Sequence, residues 1–92
     1  MGAGELSREL KVENEYGIHA RPAALIVKEA GRFSAEIYLE KDGNRVSCKS
    51  IMGLMTVEGF PGSRVRVSAS GADAEAALDA LEALFVANFH ES

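Results

Sequence analysis

The chain has 92 residues, a formal net charge of -4, 47% hydrophobic and 26% charged residues, the make-up of one globular domain over 1–92 that can bury a modest core unaided. The negative balance weighs against nucleic acid as a partner, and no apolar run is long enough for membrane insertion. Cys48 is the only cysteine, which excludes an internal disulfide and a multi-cysteine zinc site and suits a reducing cytoplasm.

Residues 1–4 carry no basic-then-apolar secretory pattern and read as a loose tail. Leu10 and Val12 then alternate with Glu9, Lys11 and Glu13, joined upstream by Leu6 and Arg8, which predicts a half-buried strand. Asn14 to Gly17 read as a loop. From Pro22 the period changes: Ala23, Ile26, Val27, Ala30 and Phe33 form one apolar helical face, with Gly31 at its end. Ala35, Ile37 and Leu39 mark a second strand. Asp42-Gly43 is a hairpin signal, and Val46 and Cys48 make the returning third strand, with Cys48 packed inside. Ser50 is a good N-cap for a short helix of roughly two turns carrying Ile51, Met52, Leu54 and Met55. After a turn at Gly59-Phe60-Pro61-Gly62, Val65, Val67 and Ala69 mark a fourth strand. Asp73 can cap a last helix with Ala74, Ala77, Leu78, Leu81, Leu84 and Phe85 on one face. Residues 89–92 read as a second loose tail, and His90 is given no role. The order β-α-β-β-α-β-α predicts an α+β fold, a four-stranded antiparallel sheet with three helices on one face.

The chemistry concentrates in Gly17-Ile18-His19-Ala20-Arg21-Pro22. Proline is tolerated only in the first turn of a helix, so His19 stands at a helix start. The first-turn N–H groups of Ala20 and Arg21 and the Arg21 guanidinium can hold an anion there. A positive helix end and a neighbouring cation favour the neutral, nucleophilic ring. Such a corner suits a phosphate that is held covalently and passed on. On chemistry alone the alternative is a histidine that merely caps or packs.

The match from Gly17 to Ala24 closely resembles the active-site signature of the histidine-containing phosphocarrier proteins, the HPr family of the bacterial phosphotransferase system. Two further blocks, Lys49 to Met55 and Ser68 to Asp73, resemble the family's regulatory-serine region and the turn into its last helix, in the same order. The resemblance runs from Glu5 to Phe89 and implies an open-faced β-sandwich. It implies that His19 is phosphorylated at Nδ1 by enzyme I, with phosphate drawn from phosphoenolpyruvate, that Arg21 stands beside the phosphate, and that a histidine of a IIA-type protein receives it. It further implies a carrier and not a stand-alone enzyme, a monomer, and no cofactor or metal.

Ser50 matches the serine that an ATP-dependent kinase modifies in some members; its other reading is a plain helix cap. Ile51, Met52, Leu54 and Met55 cannot all face the core of so short a helix, and by resemblance they form a partner-docking patch with Lys28 and Lys49 at its margin. Two departures stand out. Glu58-Gly59-Phe60-Pro61-Gly62-Ser63 replaces a small-residue loop with lysine; it is expected to stand apart from the His19 chemistry and to affect partner choice. The Phe-containing acidic end resembles that of NPr, the nitrogen-system paralogue, so sugar uptake and a regulatory relay are both open. The alternative function is a regulatory binding module controlled at Ser50. A small hydrolase using His19 lacks an assignable acid partner.

Overall fold

The computed structural model describes residues 4–91. The elements are β1 (Leu6–Lys11), α1 (Ala20–Ala30), β2 (Glu36–Lys41), β3 (Asn44–Ser47), α2 (Ile51–Met55), β4 (Arg64–Ser70), α3 (Ala74–Val86) and a short 3₁₀ turn (Asn88–His90). The four strands form one antiparallel sheet in the order β1-β4-β2-β3. This is the α+β architecture that the periodicity predicts.

Alternation sets the sheet's two faces. Leu10, Ile37, Leu39, Val65, Val67 and Ala69 are buried, while Glu9, Glu36, Arg64 and Arg66 are exposed. The buried side chains of all three helices join the same cluster, including Ala23 and Ile26 of α1, Leu54 of α2, and Leu78 and Leu81 of α3. The β2–β3 hairpin closes where expected: Lys41 pairs with Asn44, and Asp42 and Gly43 take φ of 52° and 82°, the left-handed pair that a two-residue hairpin turn needs. Cys48 lies in the core, where burial pushes its thiol up to about 12, so it packs as an apolar group.

Three local expectations change. First, α2 is five residues long, shorter than two turns. Second, Asp73 precedes α3 but makes no side-chain bond to it. Its carboxylate instead accepts the N–H groups of Ser34 and Ala35, each at 2.9 Å, tying the start of α3 to the approach of β2.

Third, the segment from Phe89 to Glu91 is not a loose tail. Asn88, Phe89 and His90 have φ of 52°, 54° and 59°, a left-handed hook that costs non-glycine residues about 1–2 kcal/mol each. Phe89 offsets part of this by full burial, worth about 1.5–3 kcal/mol for such a side chain. Its ring packs on Phe85 at 4.8 Å. The hook reverses the chain and returns Glu91 to the start of α1. Residues 1–3 and 92 of the expected tails lie outside the described residues. No helix among the described residues is long and apolar enough to cross a membrane.

Candidate functional site

His19 is the N-cap of α1, with extended backbone (φ -108°, ψ -162°). Its carbonyl accepts the Ala23 N–H at 2.9 Å, the first bond of the helix. Its imidazole makes no capping bond to the first turn. Helix N-termini leave their first N–H groups without intrahelical acceptors, so those of Ala20 and Arg21 stay available; Pro22 has none to offer.

The turn before His19 is clamped from behind. The Ile18 N–H donates to the Gly59 carbonyl at 2.8 Å. Gly17 has φ of +69°, and a Cβ there would meet the Gly59 oxygen at 2.1 Å, so only glycine fits. Gly59 is confined less strictly, since an added Cβ would lie 2.8 Å from the end of the Ile18 side chain, at Cδ1. The Glu58–Ser63 loop, expected to stand apart from His19, therefore holds the two residues that lead into it. Its Phe60 is exposed and faces the Lys41 ammonium at 5.4 Å.

The largest surprise is a carboxylate. Glu91 Oε2 lies 3.0 Å from His19 Nε2. Its other oxygen accepts from Asn14 Nδ2 at 3.0 Å, and the same amide group donates to the Gly17 carbonyl at 2.8 Å. Asn14 is buried, and the Glu91 side chain is only 17% exposed against 40% for His19. The Asn14 hydrogen bond does most to hold the Glu91 carboxyl below its ordinary value; burial opposes it, and His19 and Arg21 add to it. Tyr16 closes one side, its ring edge-on to His19 at 6.1 Å. The acid partner that could not be assigned to His19 from the sequence is thus Glu91. Nothing near His19 in the chain signals Glu91, which is 72 residues away. Phe89 did have a signal, since Leu81, Phe85 and Phe89 continue one helical stripe at intervals of four.

Arg21 is exposed and makes no ion pair among the described residues. With Glu15, Tyr16, His19, His90 and Glu91 it lines an open depression of about 340 Å³. His19 and Arg21 thus line one volume, beside the first turn of α1, in which an anion bound to His19 has a charge-assisted donor.

Ser50 caps α2, accepting the Gly53 N–H on its hydroxyl at 3.0 Å. Ile51, Met52 and Met55 are 42%, 77% and 47% exposed. Leu54 is fully buried and leaves the proposed docking patch: a five-residue helix needs one anchor, and Leu54 supplies it. Lys28 and Lys49 are exposed, and Lys49 Nζ donates to the Phe33 carbonyl at 2.8 Å, tying the loop after α1 to the approach of α2.

The family model described as the phosphotransferase-system HPr component phosphorylation site matches residues 6–87. The phosphocarrier protein HPr of Treponema pallidum is 46% identical over 84 residues, 91% of this chain and 96% of that protein. The crystal structure of HPr from Thermoanaerobacter tengcongensis superposes with a TM-score of 0.91 at 42% identity, covering 95% of this chain and 98% of the other. The Bacillus subtilis catabolite-repression protein Crh superposes with a TM-score of 0.69 at 42% identity, covering 90% and 92%, and is described as a dimer with a swapping domain. That dimer leaves the expectation of a monomer without support. Fold, sequence and the placement of the signature on one corner agree, and the chain belongs to the HPr family of phosphocarrier proteins.

Proposed function

We propose that this chain accepts a phosphoryl group on His19 from phospho-enzyme I and hands it to a histidine of a IIA-type protein. One observation carries the reading: the His19 ring is uncommitted to its own helix and opens, with Arg21, onto a depression beside the first turn of α1. The free N–H groups of Ala20 and Arg21 and the guanidinium act as donors to the phosphate oxygens once it is attached. A carrier must also let go. The site is open to solvent and supplies one guanidinium, so phospho-His19 is held without becoming a sink. Ile51, Met52 and Met55, with Lys28 and Lys49 at the margin, are the surface offered to partners.

The test is incubation with enzyme I, phosphoenolpyruvate and magnesium. The expected product is an acid-labile, base-stable phosphoprotein that His19→Ala does not form. Genes for sugar permeases or for a nitrogen-type IIA protein beside this one separate sugar uptake from a regulatory relay.

The similarity to Crh favours a second reading, a binding module controlled by a kinase and phosphorylase acting on Ser50. Ser50 adjoins the exposed Ile51 and Met52, so a phosphate there changes the charge of the docking face. Phosphoserine in cells with no phosphohistidine under any carbon or nitrogen supply would favour this reading over the first.

A further inference from the structure

We propose that Glu91 is a positioning residue for His19, holding the Nε2–H of the neutral ring so that the Nδ1 lone pair faces the incoming phosphoryl group. The inference rests on the carrier reading above and adds to it the group that selects the reacting nitrogen.

The hydrogen-bond chemistry leaves little choice. Asn14 Nδ2 faces two oxygens, the Gly17 carbonyl and Glu91 Oε1. A carbonyl and a carboxylate only accept, so the amide nitrogen, and not the amide oxygen, points to both. Glu91 Oε2 is then left for His19, and an ionised carboxylate accepts only. The ring nitrogen facing it at 3.0 Å, Nε2, must carry the proton. In a neutral imidazole the other nitrogen, Nδ1, then holds the lone pair. The carboxylate is itself held on three sides: by Asn14, by His19, and by a backbone hook anchored through the buried Phe89.

The transfer then needs no proton movement at His19. The Nδ1 pair attacks phosphorus, the new N–P bond forms, and the donor's P–N bond breaks with its electron pair returning to the donor nitrogen. Nε2 keeps its proton throughout. The positive charge that develops on the phosphorylated ring lies against the Glu91 carboxylate and is discharged when the phosphoryl group leaves. Glu91 thus resembles the carboxylates that orient a working imidazole elsewhere, although it lies on the last turn of the chain's described part.

The experiment compares ¹⁵N-labelled wild type, Glu91→Ala and Glu91→Gln, all keeping Phe89 and hence the hook's anchor. With the ring neutral, the ¹⁵N shifts of His19 are expected to show one tautomer, protonated at Nε2, in the wild type, and a mixture in Glu91→Ala. The maximal rate of phosphoryl transfer from phospho-enzyme I is expected to fall roughly tenfold in Glu91→Ala, with the half-saturating concentration unchanged. Glu91→Gln keeps a single acceptor oxygen, for which Asn14 Nδ2 and His19 Nε2–H compete, and is expected to fall between the wild type and Glu91→Ala in both signals. A wild type that takes no phosphate on His19 would break the carrier reading itself. A phosphorylated wild type matched by Glu91→Ala in tautomer and rate would overturn only the assignment of Glu91.

Discussion

Two helix starts in this molecule carry the two residues proposed for phosphorylation, and they are built in opposite ways. At α2 the Ser50 hydroxyl is already spent on the Gly53 N–H. At α1 the His19 ring turns away from its own first turn and is held by Glu91 instead. The first caps one of its own first-turn N–H groups; the second caps none with its side chain. Two N-caps that look alike in the sequence thus differ in what they leave unpaired. That difference argues for His19 as the working site and for Ser50 as a structural cap.

The contrast can be broken or sharpened by substitution, beginning at the turn that sets it up. Gly17→Ala places a Cβ on the Gly59 oxygen in a left-handed conformation. It is expected to destabilise the fold by about 2–4 kcal/mol, read by denaturant unfolding; a loss under 0.5 kcal/mol would show that the clamp on the His19 turn is slack. Arg21→Ala is next. It is expected to slow phosphoryl acceptance by about 10- to 100-fold through loss of charge-assisted bonds, with thermal stability unchanged because Arg21 is exposed. Ser50→Ala should be the smallest change. It removes a cap worth about 1 kcal/mol, visible in unfolding, and leaves transfer through His19 at the wild-type rate. A transfer defect in Ser50→Ala equal to that of Arg21→Ala would erase the distinction between the two helix starts.

Most of the fold was legible because its signals are local. Period-two alternation in Val65, Val67 and Ala69, the Asp42-Gly43 turn and the proline in the first turn of α1 each act within a few residues. The same holds for half of the site: His19, Ala20 and Arg21 are neighbours, and the helix start that arms them is written beside them. What was not legible acts across the chain. Asp73 finds its partners in distant backbone, Asn14 finds the Glu91 side chain, and Glu91 reaches His19 only because a buried Phe89 bends the chain back. Leu54 shows a different limit. Four apolar residues on one short helix do not say which one is the anchor until the helix is laid on the sheet. The Phe60-Pro61 loop was read by its departure from the family's usual residues, and its backbone role behind Gly17 and Ile18 was invisible at that level.

The central claim is that the open helix start, and not the capped one, takes the phosphoryl group. Mapping the phosphate by mass spectrometry under base-stable conditions, after incubation with enzyme I and phosphoenolpyruvate, tests it most directly. The account predicts one phosphate, on His19, and none on a His19→Ala protein. A phosphate found on any other residue, or one retained at wild-type level by His19→Ala, would contradict it.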